Sequence, residues 1–249
     1  MKIFLSKSLF IFVVIFSNFV YAAENKASLK LITEIFAPFQ YQEGKKNKGI
    51  AIEIVKAIQK EIQDNSKIKV YPWSRGVRIV SKKKNAALFS MLRTPEREDK
   101  YQWIGPLTSM KMVFFKRTGS DIQIKNMEDA KKVNKVGVTR NVGNHQMMIS
   151  KGFKNLDVLQ EGADEQNIKK LVKGRIDLWP SLKMAGLYQA RKMGLTGQIE
   201  AVEDVVAFSG DMYIAVNKDT DQQLIQKWQD AFDRLKKQGV IDKIIETYL

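Results

Sequence analysis

The segment Ser90-Met91-Leu92-Arg93-Thr94-Pro95-Glu96-Arg97 collects hydroxyls, a turn-forming proline and two guanidinium groups just past a buried apolar run. Arg97 offers two parallel N–H donors in one plane, which match a carboxylate and bind it more strongly than neutral donors do. Spacing alone favours an ion pair with Glu96, Glu98 or Asp99 on a helix surface. Ser90 and Thr94 add hydroxyl or backbone donors beside it, with Leu92 between them. Trp73 follows a strand end and Phe39 sits in an earlier loop. Each ring either stacks on a ligand at the carboxyl edge of a sheet or belongs to the core. Arg75 is either a second anion contact or a salt-bridged helix residue. Arg140-Asn141-Val142-Gly143-Asn144 leads from a strand into a helix. Backbone N–H groups around Asn141 and Asn144 there can hold negative charge, and a plain capped turn explains the same residues. Glu34 and Glu161 lie near loop ends and are the acids open to proton transfer in a cleft.

Other chemistries are excluded by residue type. The chain has no cysteine, so it has no disulfide, no thiol nucleophile, no thiolate metal site and no lipidated cysteine tether. His145 is its single histidine, so neither a transition-metal cluster nor a Ser-His-Asp arrangement is supported, and no cofactor is expected.

The elements that must position these residues follow from periodicity. Leu29 to Ile35 reads as a strand, and after a turn region from Gln40 to Gly49, Ile50, Ile54, Ile58 and Ile62 recur at helical spacing. Ile68 to Tyr71 is a second strand leading to a short helix with Ser74 as N-cap, then a buried strand at Ala86 to Ser90. A further strand is expected at Val113 to Lys116. The plan then repeats: Asn126 caps a helix, Val136 to Thr139 is a strand, Asn144 to Ser150 is helical, and a helix capped by Asp164 ends at Gly174 before a strand at Ile176 to Trp179. The corner Lys82 to Phe89 matches Lys173 to Trp179. Met212 to Val216 is a last strand, followed by a helix with the stripe Leu224, Trp228, Phe232, Leu235, and by a short helix after Gly239. Strands joined by helices imply an open, mostly parallel α/β sheet in each half, and without a linker the halves must be joined by crossing strands that act as hinges.

Residues 1–22 combine Lys2 and Lys7 with the apolar run Leu9 to Phe16 and a small-residue site at Val20-Tyr21-Ala22, the pattern of a cleaved signal peptide. The apolar run is too short to span a bilayer, which takes roughly 20 residues. The formal charge is +15. Lys82 to Lys84 is the only run of three basic residues, and the remaining cations are scattered, so they are read as solvated surface with weak attraction to anionic membranes, and nucleic acid is not expected as a partner.

Three stretches resemble the amino-acid type of periplasmic solute-binding proteins that serve ABC importers (family 3 of the bacterial extracellular solute-binding proteins). They are Ala37-Pro38-Phe39-Gln40-Tyr41 with Gly49 to Val55, the segment Ser90 to Arg97 with Trp103-Ile104-Gly105-Pro106, and the tail from Tyr213 to Leu249. The resemblance implies a type II periplasmic binding protein fold of two α/β lobes joined by a two-strand hinge. Lobe one is expected at 27–111 plus 210–249 and lobe two at 112–209. It further implies that Arg97 grips a ligand carboxylate and that the Arg140 to Asn144 loop contacts ligand. It also implies an acid five residues beyond Asp177 for the ligand ammonium. This chain has Leu182 there, so Trp179 and Ser181 line the pocket without a negative charge, while Asp177 supports the corner. The expected protein is a periplasmic monomer that closes on a small polar ligand and serves an inner-membrane ABC permease. The rivals are a dehydratase-like enzyme of the same fold and a sensor that presents its closed form to a membrane receptor.

Overall fold

The computed structural model describes residues 27–140, 143–160 and 164–248. The expected signal peptide, Asn141 and Glu161 lie outside the described residues. In chain order the first elements are β1 (Lys30–Thr33), β2 (Tyr41–Glu43), β3 (Lys46–Lys48), α1 (Ile50–Ile62), β4 (Lys69–Val70), α2 (Trp73–Lys82) and β5 (Ala86–Leu92). A 3-10 turn (Pro95–Lys100) leads into β6 (Tyr101–Arg117), α3 (Met127–Lys132), β7 (Val136–Thr139), α4 (Gly143–Ser150), β8 (Leu156–Leu159), α5 (Asp164–Val172), β9 (Trp179–Leu182) and α6 (Lys183–Lys192). The chain ends with β10 (Ile199–Asn217), α7 (Gln222–Lys237) and α8 (Val240–Glu246).

Helix α1 follows from its isoleucines: Ile50, Ile54 and Ile58 are fully buried on one face. Its N-cap, Gly49, has φ 122°, and a Cβ there would lie 2.5 Å from the Phe39 carbonyl oxygen, so only glycine lets the chain turn into the helix. The N-cap of α2 is Pro72, not Ser74, which lies inside the first turn. Asn126 does cap α3, accepting from the Asp129 amide at 3.0 Å. The two matching corners turn through left-handed residues, Asn85 (φ 62°) and Gly174 (φ 64°).

The main sheet has the order β4-β1-β5-β10-β6-β9. β1 is parallel to β4 and β5, and β10 runs antiparallel between β5 and β6. β9 is antiparallel to β6. β7 pairs with β8 in parallel and is bridged to Leu178 just before β9, which extends the second half of the sheet. β6 and β10 are far longer than the strands expected at Val113 to Lys116 and Met212 to Val216, because each passes through both lobes. Ile104 of β6 faces Ile214 of β10 in lobe one, and Phe115 faces Ala201 in lobe two. At the crossing, Ser109 Oγ donates to Asp211 Oδ1 at 2.6 Å.

Each lobe has a core on both faces of its sheet. In lobe one, α1 and α7 bury Ile54, Ile58, Trp228 and Phe232 against one face, while α2 lays Val80 on Ile32 and Leu88 on the other. In lobe two, alternation along β6 sends neighbours to opposite cores. Phe114 packs 5.9 Å from Phe153, and Phe115 packs 5.4 Å from Trp179. Each such aromatic contributes about 1.5–3 kcal/mol when fully buried, so the paired phenylalanines fix how β6 is rolled as it enters lobe two.

Candidate ligand-binding cleft

Because β1, β4 and β5 are parallel, their carboxyl ends bring Glu34, Trp73 and the segment from Leu92 to Arg97 to one edge of lobe one. Ser90 shapes that edge. It has left-handed backbone (φ 63°) where the ladder with β10 slips between Tyr213 and Ile214, a bulge that re-aims the residues after it. Its hydroxyl donates to Gln40 Oε1 at 2.8 Å in a buried position, so of the hydroxyl and backbone donors expected from the sequence the hydroxyl is spent on bracing the first loop.

Arg97 is half-buried in the 3-10 turn. Its amide donates to the Thr94 carbonyl at 2.9 Å, Nη1 donates to the Leu92 carbonyl at 3.0 Å, and Cζ stands 5.8 Å from the centre of the Trp73 ring. Two residues from distant segments are thereby brought together. The alternative of an ion pair with Glu96, Glu98 or Asp99 is not realised, since Arg97 has no ion pair among the described residues. Arg93 takes that part: its Nε donates to Glu98 Oε2 at 2.8 Å while its guanidinium lies 5.1 Å from the Tyr213 ring, and the pairing holds the Glu98 carboxyl below its ordinary value. Leu92 contributes its carbonyl to Arg97 and its side chain to the space over Gly210. The hydroxyl of half-buried Thr94 is the main cause holding the Glu96 carboxyl below its ordinary value.

Glu34 is half-buried just past β1, and loss of water around it raises its pKa. Among the described residues it has no ion-pair partner. Arg75 has no ion pair among the described residues; it is exposed and stacks on Tyr71 with 4.3 Å from Cζ to the ring centre.

Two aromatic candidates are core residues. Phe39 is 1% exposed and packs 5.2 Å from Phe36, with its rim on a cavity of about 170 Å³ shared with Met110, Lys111, Leu182 and Met184. Trp179 is also 1% exposed, sealed against Phe115 in lobe two. Trp179 is thus covered on both sides by its own lobe's core, whereas Phe39 keeps its rim on the small cavity between Met110 and Leu182. Ser181, half-buried, is paired with Val113 in the ladder between β9 and β6. Leu182 faces Met112 and packs against the cores of both lobes, so the position expected to be acidic is an apolar contact near the crossing strands.

At the carboxyl end of β7 in lobe two, Thr139 donates through Oγ1 to Asp164 Oδ1 at 2.7 Å, while Asn167 Nδ2 donates to Thr139 Oγ1 at 3.1 Å. This network ties the end of β7 to the start of α5. Thr139 and Asn167 were not legible as site residues; Asp164 was read only as a helix cap. Asn144 is buried and donates through Nδ2 to the Pro180 carbonyl at 2.9 Å, which spends its amide on bracing α4 against β9. Asp177 Oδ2 accepts from the Lys135 amide at 2.9 Å and supports the corner. The lobes also touch through aromatic rings: those of Tyr41 and Tyr188 are 5.9 Å apart, and burial, then the Tyr188 hydroxyl, push the Tyr41 pKa up. Among the described residues no group of three or more metal-ligating side chains occurs, and no helix is long and apolar enough to cross a membrane.

Comparison with known proteins agrees with this architecture. A substrate-binding domain of Lactococcus lactis GlnP, in its open conformation, superposes with a TM-score of 0.71 at 21% identity, covering 90% of this chain and 96% of its own. An ancestral cationic amino acid solute binding protein gives 0.73 at 21% identity, with 89% and 95% covered. These likenesses show the type II periplasmic binding protein fold. The probable amino-acid-binding protein YxeM of Bacillus subtilis (strain 168) is 22% identical over 213 residues, 85% of this chain and 79% of the relative. The family model described as bacterial extracellular solute-binding proteins, family 3, matches residues 29–249, and the chain belongs to that family.

Proposed function

We propose that the chain is exported by residues 1–22 and acts in the periplasm as a monomer. In this reading it captures an amino acid or a close carboxylate-bearing relative between its lobes and delivers it to an inner-membrane ABC permease. The observation that carries this reading is Arg97: a half-buried guanidinium at the cleft edge, anchored through one N–H to Leu92 and set near Trp73, with its other donors left for an anion. Glu34 at the same edge is the partner for a cationic group on the ligand, since Leu182 supplies none. Met110 packs with the lobe-one core and Met112 with that of lobe two, which supports dividing the lobes as 27–111 plus 210–249 and 112–209. Ligand touching both edges favours the closed form, and that differential affinity is what a permease reads.

The test is a thermal-shift screen of residues 23–249 against amino acids, short peptides, organic acids, polyamines and sugars. A compound at 100 times its Kd stabilises the fold by about 2.7 kcal/mol and raises Tm by several degrees. Shifts confined to carboxylate-bearing compounds support the reading; shifts confined to sugars or polyamines refute it. The raised pKa of Glu34 also suits a general acid, which keeps a dehydratase-like activity as a second reading. Turnover of a cyclic carboxylic acid by the purified chain, abolished in Glu34→Gln, is its test.

A further inference from the structure

Between Asn65 and Pro95 the chain has no Asp or Glu and carries Lys67, Lys69, Arg75, Arg78, Lys82, Lys83, Lys84 and Arg93. All are exposed, and all but Arg93 have no ion pair among the described residues. The fold gathers them. On α2, Arg75, Arg78 and Lys82 stand at helical spacing on the side away from the buried Gly76 and Val80. β4 is the edge strand of the sheet and carries Lys69, with Lys67 just before it. A shallow groove of about 290 Å³, lined by Ile79 of α2 together with Lys30, Lys67, Lys69 and Tyr71, shows that the two elements share one flank of lobe one. The charge is therefore not evenly scattered. The neighbouring turn that bonds Asn85 through Thr220 Oγ1 carries Asp219, and no ion pair joins it to these lysines.

We propose that this flank, the exposed side of α2 with the β4 edge, is a docking surface for an anionic lipid bilayer. Specific protein interfaces are built around aromatic, Met and Arg anchors in a core depleted of lysine. This flank is mainly lysine, and the large exposed hydrophobic residues among the described ones (Ile35, Ile149 and Val206) lie elsewhere in the chain. Flexible, unpaired lysines over a broad surface suit the diffuse negative field of a headgroup layer, in which each nearby cation strengthens attachment about fivefold. A weak attachment of this kind would keep the protein in the layer next to the membrane while leaving lobe two free to move.

The test is cosedimentation of residues 23–249, without the exported segment, with vesicles of mixed phosphatidylglycerol and phosphatidylcholine and with pure phosphatidylcholine vesicles. Binding is expected to the anionic vesicles alone and to vanish in 1 M salt, where screening acts over roughly 3 Å. Lys67→Gln/Lys69→Gln/Lys82→Gln is expected to weaken partitioning about 100-fold. The matched control Lys227→Gln/Lys236→Gln/Lys237→Gln removes the same charge from exposed positions of α7, on the opposite face of the lobe-one sheet, and is expected to change it less than about threefold. Equal losses in both variants would assign the effect to net charge and overturn the proposal. So would absence of binding to the anionic vesicles, or capture by immobilised polyglutamate without vesicle binding, which would point to an acidic protein surface.

Discussion

Replacing Arg97 with alanine separates ligand binding from folding. One guanidinium N–H is committed to the Leu92 carbonyl at 3.0 Å, which fixes the fork and leaves the remaining donors to meet a carboxylate in bidentate fashion. Removing one partner of a desolvated charge pair costs about 2–5 kcal/mol. Arg97 is only half-buried, so the lower part of that range applies, about 2–3 kcal/mol, and at 1.4 kcal/mol per factor of ten the Kd rises roughly 30- to 150-fold. The cost to the fold is smaller: one net hydrogen bond at about 0.5–1.5 kcal/mol and a partly exposed contact with Trp73 at about 0.5–1 kcal/mol. Tm then falls by a few degrees and the chain stays native. Arg97→Lys keeps the charge but loses the planar fork and is expected to fall between the two. Calorimetric titration at 25 °C with the compound returned by the thermal-shift screen, alongside a melting curve, measures both quantities. Arg93→Ala is the internal control, because its guanidinium is spent on Glu98 and the Tyr213 ring. An unchanged Kd in folded Arg97→Ala, or a larger loss in Arg93→Ala, would falsify the assignment.

Three other perturbations probe the same architecture. Burial raises the Glu34 pKa in the free protein, so its ionised form is disfavoured there. Apo stability should therefore decline as pH rises from the ordinary carboxylate range through the raised value, while affinity for a cation-bearing ligand should strengthen over that same interval with proton release. Glu34→Gln should flatten both profiles, and a pH-independent wild-type affinity across the interval would count against Glu34 as the cation's partner. Leu182→Asp restores a negative charge where apolar packing now joins both lobes; it should destabilise the fold by about 1–3 kcal/mol and, in competition titrations, shift preference toward compounds carrying an α-ammonium over their des-amino analogues. Gly186→Ala places a Cβ 2.4 Å from the Phe115 ring, so α6 must move off β6, at about 1–3 kcal/mol and a Tm lowered by several degrees; an unchanged melting curve would show that α6 is loosely held.

What was legible in the sequence, and what was not, divides along physical lines. Buried elements declared themselves: the isoleucines of α1, the apolar run of β5 and the stripe of α7 are hydrophobic because a core covers them. The hairpin β2–β3 did not, since its residues are mostly exposed or half-exposed and polar, and β8 did not, since it has four residues, all half-buried; the pairing of each is set by what it meets in space. The full length of β6 was hidden by Gly105-Pro106, which reads as a turn. Here β6 is paired by β9 only from Met112 onward, so Pro106 lies on a stretch with β10 on one side, where the ladder slips between Met212 and Ile214 and a missing N–H is tolerated. In the site, Arg97 and Trp73 were legible as separate candidates, but their mutual approach depends on the bulge at Ser90. Phe39 and Trp179 could not be told from core, because ring burial is decided by how the chain returns over them.

The same bulge connects the fold to the chemistry. A strand without the slip at Ser90 would continue its alternation into Leu92 and carry Thr94 and Arg97 along the ladder with β10. The left-handed residue instead shifts that alternation, the ladder resuming with Met91 opposite Tyr213 and Leu92 opposite Met212, and the Ser90 hydroxyl anchors this part of β5 to Gln40 in the first loop. Arg97 is thus held by lobe one alone. The carboxyl end of β7 in lobe two depends on the Thr139–Asp164–Asn167 network, which makes no contact with Arg97 through a hydrogen bond. A ligand is then the shared element between two independently braced edges. Weakening the lobe-two brace, for example with Asn167→Ala, should therefore raise the ligand dissociation rate while leaving Arg97 geometry and the carboxylate preference unchanged. Loss of that preference along with affinity would show that the two edges are not independent.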